Sequence, residues 1–232
     1  MEPLQAGAYW AGREESAEEC ARRAERFFHL LRRCDAAYGR WFEHAYSRRQ
    51  SLRLPFEPTY ETFLRFFERK KYRLGKDGFR FEAWTGQEQR GRGGMLSFTC
   101  GSATSFYPNG CLLYLPREEP AAGRVLTLPV LTEVIRAMVL AWEPDGCSVV
   151  SEDAPGVKDA RVAEAPCVGW LMYVSRRLGK VPRLPRPVRV EPLEGKGSLV
   201  ILTRERFCGE DRAHLALVEQ VRMAFVQAGL MS

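Results

Sequence analysis

Two acidic residues and one lysine offer the most specific chemistry in this chain. Pro144-Asp145 and Glu194-Gly195-Lys196 match the acid, acid, lysine set with which restriction-type nucleases hold a metal ion and activate water. Glu194 and Lys196 flank a glycine just before a predicted strand, so one strand face would not hold both side chains together. Short patterns of this kind also arise by chance. We therefore favour a polar hairpin at residues 194–196 and predict no catalytic residue.

Residues 89–94, Gln-Arg-Gly-Arg-Gly-Gly, form an arginine- and glycine-rich segment. In RNA-binding segments of this composition, a flexible backbone lets guanidinium groups reach phosphates and stack on bases. The sequence contains one copy, and glycine clusters between two predicted strands are ordinary loop chemistry. A solvated loop is the favoured interpretation. A nucleic-acid-binding module or nuclease that uses the arginine-rich loops is the alternative function.

Histidine and cysteine spacing does not predict a metal site. The three histidines, His29, His44 and His214, include no H-x-x-x-H pair. The seven cysteines include no C-x-x-C pair, and their odd number is typical of a reduced, cytosolic chain. No G-x-S-x-G nucleophile motif occurs. We therefore expect no cofactor, no metal and no enzymatic activity.

The sequence shows neither a signal peptide nor a membrane span, which predicts a cytoplasmic location. Residues 1–20 contain glutamates where a signal peptide carries its apolar core. The most apolar helix-like stretch, residues 128–142, is interrupted by a proline and two charged residues. A membrane span needs a longer apolar run than this. We therefore expect no contact with a membrane.

Charge is distributed in two blocks of opposite sign. Residues 143–164, the acidic block, contain six acidic residues against two basic ones, a local net charge of −4; residues 176–189, the arginine block, contain six basic residues and no acid. The acidic block suits a basic or metal-bearing cleft, and the arginine block suits an acidic patch or a phosphate backbone. Proline and charge in the arginine block also fit simple protection of an edge strand. The residues predicted to bind a partner are Glu143, Asp145, Glu152, Asp153, Asp159, Arg176, Arg177 and Arg183.

Hydrophobic periodicity predicts the elements that position these residues. Ser16-x-x-Glu19 is a capping box, and apolar residues follow it at helical spacing. The uninterrupted apolar run 167–174 is too short for a membrane span and predicts a strand buried on both faces. Further helices are predicted over residues 59–71, 131–142 and 211–228, and further strands over residues 8–10, 79–84, 95–100, 111–115, 188–190 and 199–202.

The order of these elements predicts an α+β fold. Helices and strands do not alternate regularly, so we expect a mixed or mainly antiparallel sheet with about four helices packed on it. Pro144 is expected to stop the third helix, because proline lacks an amide hydrogen. The acidic block after it is expected to be a loop. With 232 residues, the chain is within reach of one domain, residues 1–232.

The chain also carries short motifs from its first residues to its last. These signature motifs are Ala8-Tyr9-Trp10-x-x-Arg13-Glu14-x-Ser16, Trp41, Cys100-Gly101, Asn109, Ala141-Trp142-x-Pro144-Asp145, Gly169-Trp170-x-x-Tyr173-x-Ser175-Arg176-Arg177, Gly197 and Ala228-Gly229-Leu230. In this order, the motifs make the chain resemble the immunity protein 52 family of bacterial polymorphic toxin and type VI secretion systems. The resemblance covers nearly the whole length.

This resemblance implies an antitoxin-like binding protein of the cytoplasm. The implied partner is a cognate toxin with a restriction-endonuclease-like nuclease domain, which the chain would neutralise before the producing cell's nucleic acid is cut. No catalytic residues and no direct contact with nucleic acid come with the family. Inhibitors that cover nuclease active sites are commonly acidic, whereas this chain has a net charge of +6. Mimicry of nucleic acid over the whole surface is therefore not expected.

Overall fold

The computed structural model describes residues 2–87, 91–152 and 167–231. The strands of these ranges are β1 (Leu4–Trp10), β2 (Trp41–Glu43), β3 (Pro55–Phe56), β4 (Phe79–Trp84), β5 (Met95–Cys100), β6 (Asn109–Tyr114), β7 (Gly146–Ser151), β8 (Leu171–Ser175), β9 (Arg189–Leu193) and β10 (Gly197–Ile201). They form one sheet in the order β3-β2-β4-β5-β6-β1-β7-β8-β10-β9. Each neighbouring pair is antiparallel.

The helices in the same ranges are α1 (Ala17–Arg32), α2 (Arg48–Ser51), α3 (Tyr60–Glu68), α4 (Ala121–Val125), α5 (Leu128–Trp142) and α6 (Arg212–Gln227). The predicted α+β class with a mainly antiparallel sheet is confirmed. The four longer helices are the four that the sequence predicted, and α2 and α4 are additional short ones. Among the described residues, no helix is both long and apolar enough to cross a bilayer.

β1 lies in the middle of the sheet, between β6 and β7. Successive side chains of a strand point to opposite faces of the sheet. Ala6 and Ala8 are fully buried on the first face, where α5 contacts β1. Their small side chains let the helix approach the sheet closely. Gly7 and Tyr9 alternate with them and lie on the second face.

α1 packs against both α3 and α5 on the first face. The predicted capping box is confirmed, because the Ser16 amide donates to Glu19 Oε2 at 2.8 Å and the Glu19 amide donates to Ser16 Oγ at 3.3 Å. The apolar stripe predicted for this helix is also confirmed, since its members from Cys20 to Leu31 are buried. Burial of such a stripe is the main stabilisation of a helix on a sheet.

The second face of the sheet is covered over only part of its width. Leu215 and Val218 of α6 line one cavity with Val150 of β7, and Leu230 lies beside Gly179, which follows β8. α6 therefore crosses the second face over β7 and β8, and every residue of these two strands is buried. The prediction of a strand buried on both faces is confirmed for β8. In β5 and β6, by contrast, buried residues alternate with more exposed ones.

The acidic block is not a loop throughout, which corrects the sequence prediction. Residues 146–151 form β7, which pairs with both β1 and β8. Glu143, Asp145 and Glu152 flank this strand and gave the segment its polar character. The residues between them are small or β-branched and suit a strand buried on both faces. The charges at the two ends made the sequence of this segment typical of a loop rather than of a strand.

α3 ends at Glu68 rather than near residue 71, because the basic residues after it turn toward a buried carboxylate. Arg69 Nη1 and Lys71 Nζ lie 3.3 and 2.9 Å from Glu43 Oε2 in β2, and the Tyr72 hydroxyl donates to the same oxygen. Burial raises the pKa of Glu43, but the hydrogen bonds from Tyr72 and Lys71 outweigh it and hold that pKa below its ordinary value. The sequence did not predict β2 or this ion cluster.

Candidate functional site

Several of the signature motifs meet at one end of the sheet, around the C-terminal end of α5. Trp142 is fully buried, and its ring stacks on Trp10 with centroids 5.5 Å apart and planes 16° apart. Glu143 follows with a φ of +50°, and Pro144 comes next. The helix therefore ends where the proline predicted. Trp142 is therefore a core residue.

Three arginines bind the last carbonyl groups of α5. These carbonyls have no partner within the helix and carry partial negative charge, so cations at this end stabilise it. Arg13 and Arg177 belong to the signature motifs, whereas Arg23 lies on α1. The bonds run from Arg23 Nη1 to Ala141 O at 2.9 Å, from Arg13 Nη2 to Trp142 O at 2.8 Å and from Arg177 Nη2 to Glu143 O at 2.7 Å.

Two glutamates hold Arg13 and Arg23 in position. Glu15, whose side chain is 6% exposed, places Oε1 2.5 Å from Arg23 Nε and 3.2 Å from Arg13 Nε. Glu143 lies 3.3 Å from Arg23 Nη2 and 2.6 Å from Lys196 Nζ. Opposite charges therefore alternate from the segment before α1 to the turn between β9 and β10. This charged network ties four separate parts of the chain together.

Asp145 and Asn109 fix the loops beside the charged network. Asp145 Oδ2 accepts from the Ala11 amide at 2.9 Å, and Oδ1 lies 3.0 Å from Arg177 Nη2. Asn109 Oδ1 accepts from the Ser102 amide at 3.1 Å, while Nδ2 donates to Ser102 O at 2.8 Å and Ala11 O at 3.2 Å. The polar signature residues thus order the loops that surround this end of the sheet.

The predicted partner-binding residues that the structure describes fall into three groups. Glu143, Asp145, Arg176 and Arg177 lie together at the charged network. Arg183 is exposed within the arginine block. Glu152 lies at the opposite end of β7, roughly 20 Å away for a strand of this length, and pairs with Arg117 at 2.5 Å. Asp153 and Asp159 lie outside the described residues.

The two charge blocks, separate in sequence, adjoin in space. Arg177 of the arginine block pairs with Asp145 of the acidic block, because Asp145 precedes β7 and Ser175 ends its neighbour β8. In the described part of the acidic block, the carboxylates of Glu143, Asp145 and Glu152 each pair with a cation of the chain. The surface at this end therefore has mixed rather than segregated charge.

The chain is similar to known proteins in both sequence and fold. Residues 2–232 match the family model described as immunity protein 52. The chain belongs to this family. Among solved structures, it is similar to the Pseudomonas aeruginosa T6SS protein PA0821, with a TM-score of 0.57 and 10% identity over 96% of this chain and 72% of that chain. At this identity, the likeness shows a shared fold alone. The comparison with curated proteins gave no match.

In this member of the immunity protein 52 family, the three residues that resemble a nuclease site, Asp145, Glu194 and Lys196, each form an ion pair with another side chain of the chain. Asp145 is held by Arg177, Lys196 by Glu143, and Glu194 lies 3.2 Å from Arg136 Nε. Glu194 also sits in the turn between β9 and β10, as the hairpin interpretation predicted. Within residues 2–87, 91–152 and 167–231, no cluster of three or more histidine, cysteine, aspartate or glutamate side chains is placed to hold a metal ion.

Sequence reasoning missed the centre of the charged network. Arg13 was noted only as a member of a signature motif, and neither Glu15 nor Arg23 was singled out. Arg23 lies outside the apolar stripe of α1, and its guanidinium reaches the end of α5. The preference of cations for helix C-terminal ends predicts that some arginine would lie there. Which arginine does so depends on how α1 and α5 pack.

We expect the contact between Glu143 and Lys196 to make folding of this immunity protein sensitive to acid. The hydrogen bond from Lys196 is the main cause that lowers the pKa of Glu143 below its ordinary value of 4.5. A lowered pKa stabilises the folded state above pH 4.5, and this stabilisation is lost as the pH falls through the folded-state pKa. Lys196→Met should therefore flatten the dependence of the unfolding free energy on pH in this acidic range.

Urea unfolding between about pH 3 and pH 7 measures this effect. At neutral pH, Lys196→Met should cost less than about 1 kcal/mol, because both side chains are partly exposed to solvent. Lys180→Met is the matched control, since Lys180 is exposed in the arginine block. Identical pH profiles for the wild type and Lys196→Met would contradict the expectation.

Proposed function

We propose that this member of the immunity protein 52 family binds a cognate toxin with a restriction-endonuclease-like nuclease domain. It acts in the cytoplasm of the producing cell and blocks the toxin before nucleic acid is cut. The match to the family model over residues 2–232 carries this proposal. The charged network supports it, because its side chains hold each other and the ends of elements. A rigid scaffold suits binding by a preformed surface.

The charged residues predicted to bind a partner act in association with the toxin. Those residues are Glu143, Asp145, Glu152, Asp153, Asp159, Arg176, Arg177 and Arg183. Complementary charges increase the association rate and suppress wrong partners more than they increase affinity. Arg176 and Arg183 are exposed, so they can meet an acidic patch of the toxin without giving up the internal contacts seen at Glu143 and Asp145.

The test uses the full chain and the toxin domain encoded by the adjacent reading frame, with its nuclease activity disabled by substitution. Wild-type protein should bind this domain and rescue cells that express the active toxin. The variant Arg176→Glu with Arg183→Glu should lower the association rate about 10-fold at low salt, with a smaller effect at high salt. Arg204→Glu is the control, because Arg204 is exposed and follows β10 at the opposite end of the sheet.

Different results would overturn different parts of the proposal. If the wild type neither binds the toxin domain nor rescues cells, the proposed function is wrong. If it does both and the arginine variant associates at the wild-type rate, the arginine block lies outside the interface. Hydrogen exchange on the complex then shows whether the acidic block is protected instead.

Direct binding or cleavage of nucleic acid by the arginine-rich loops is the second candidate function. The observation in its favour is the arginine block, whose residues Arg176, Arg177 and Arg183 are exposed. Part of the other loop, residues 88–90, lies outside the described residues. Filter binding to DNA and RNA over a range of salt concentrations discriminates, because contacts with phosphates give a steep salt dependence. A flat, weak signal favours the toxin-binding function.

A further inference from the structure

The second face of β4, β5 and β6 is open, together with the Tyr9 end of β1. α6 covers β7 and β8 on this face, and Gln5 and Gly7 of β1 are buried as well. No other long helix of the described ranges packs on the remaining strands. The outward side chains of the four strands line a shallow depression of about 390 Å³ that is bordered by the loop before β6. We call this surface the open face. Its lining includes Tyr9, Ser97, Thr99, Leu112 and Tyr114.

The open face has the composition of a protein-binding surface rather than of an ordinary solvent-facing sheet. Leu112 and Tyr114 point outward from β6, and Phe106, in the bordering loop, is 79% exposed. At the far side, Met95 is 37% exposed. Aromatic residues and methionine are enriched at interfaces, and tyrosine and tryptophan are frequent hot spots. A phenylalanine left in water loses the stabilisation that burial of its ring would give.

Two glycines shape the centre of the open face. A Cβ at Gly7 would lie 2.6 Å from Tyr9 Oη, and a Cβ at Gly110 would lie 3.3 Å from Tyr9 Cδ1. The Tyr9 ring therefore lies over the backbone of Gly7 and Gly110, in space that a larger residue at either position would occupy. Tyr9 is also part of a signature motif.

The exposed Phe106 is held in place from within the chain. Its ring packs edge-on against Tyr107 with centroids 4.7 Å apart. The loop that carries both residues is anchored where the Asn109 side chain bonds the Ser102 backbone in both directions, at 3.1 and 2.8 Å. An aromatic side chain on an anchored loop loses little conformational freedom on binding, which favours affinity.

The size and charge of the open face indicate what kind of partner fits it. Four strands about 4.8 Å apart and about 20 Å long give a projected area on the order of 400 Å². Ser97 and Thr99 supply part of its polar surface. In the described part of the chain, Arg80 and Glu82 are the charged residues that line the depression, and they pair at 3.0 Å. The centre of the surface is therefore nearly neutral, so an apolar and aromatic protein surface complements it.

We propose that the open face is the docking surface for the nuclease domain of the cognate toxin, with Leu112 as a contact at its centre and Phe106 as a contact at its border. This inference rests on the proposed function. A second copy of the chain is a poorer occupant, because each copy has a net charge of +6 and two copies repel one another. The open face also borders the charged network, since the Asp145 amide donates to Tyr9 O. Asp145 and Arg177 thus lie at the rim of the same interface.

The experiment measures affinity of the full chain for the disabled toxin domain by calorimetry or biolayer interferometry. Phe106→Ala should weaken binding about 30-fold, because hot-spot side chains contribute about 2 kcal/mol. Leu112→Lys should weaken it more than about 100-fold by placing a charge at the centre. Leu215→Ala and Met223→Ala on α6, whose side chains are 48% and 42% exposed, should leave affinity unchanged. Thermal unfolding establishes that every variant is folded.

The outcomes separate the docking surface from the function. Weakened binding by both open-face variants, with unaffected α6 controls, supports the proposal, and Phe106→Ala keeps it testable if Leu112→Lys fails to fold. Wild-type affinity in both variants would overturn the docking surface and leave the proposed function standing. Absence of binding by the wild type would overturn the proposed function itself. A dimer of the free protein that Leu112→Lys converts to a monomer would assign the open face to self-association instead.

Discussion

Trp142→Ala is expected to lower the free energy of unfolding by about 3–5 kcal/mol. The indole is fully buried and contacts three other rings, those of Trp10, Phe98 and Phe27, at centroid distances of 5.5, 4.9 and 5.9 Å. Removal of the ring leaves a cavity between α1, α5 and the sheet, and the packed surroundings can fill it only in part. The loss also loosens the end of α5 that anchors the charged network.

The consequence for the cell follows from this loss of stability. A domain is typically stable by about 5–15 kcal/mol, so a loss of about 3–5 kcal/mol would raise the unfolded fraction roughly 150- to 5,000-fold. Protection against the toxin should fall with the amount of folded protein, while folded molecules keep their affinity. Urea unfolding and cell rescue measure the two effects. Tyr46→Ala is the control, because the Tyr46 side chain is fully exposed. A loss below about 1 kcal/mol for Trp142→Ala would contradict the packing described here.

Phe63→Ala should have an effect of similar size, about 3–5 kcal/mol. Phe63 is fully buried on α3 at the centre of the aromatic cluster that joins α1 and α3 to the sheet. Its ring lies within contact of six others, those of Phe28, Phe56, Phe66, Phe67, Phe81 and Phe98. Phe63→Leu keeps most of the apolar volume and should be less destabilising.

The two substitutions are expected to be coupled. Phe98 contacts both Phe63, at 6.4 Å, and Trp142, at 4.9 Å, so either cavity changes the packing around the other. A double-mutant cycle should therefore give an interaction energy of at least about 0.5 kcal/mol. Strict additivity would show that Phe98 keeps its position when either neighbour is lost.

Much of the fold follows from local patterns in the sequence. The capping box at Ser16, the apolar stripe of α1 and Pro144 after α5 each determine a helix end or face by rules that act over a few residues. The strand Leu171–Ser175 was predicted from its uninterrupted apolar run. These elements have strong local signals, because their physical cause lies within the segment itself.

The strands that the sequence did not predict depend on tertiary contacts. β2 is three residues long, and its Glu43 is buried only because Arg69, Lys71 and Tyr72 come from elsewhere in the chain. β7 was concealed by charges at its two ends. The candidate site shows the same limit. Local charge identified the acidic block and the arginine block in the sequence. The contact between Arg177 and Asp145, however, depends on the pairing of β7 with β8.

The central place of β1 affects how the protein is made. Gly7 pairs with Leu112 on one side and with Ser148 on the other, so both neighbours of the first strand are synthesised more than 100 residues after it. At about 5–20 residues per second, the ribosome needs roughly 7–28 s to supply the second of them. During that time, the apolar residues of the nascent first strand have no sheet to join. Assembly of the sheet around β1 is therefore delayed until translation is well advanced. Until then, the nascent chain exposes apolar residues that chaperones bind.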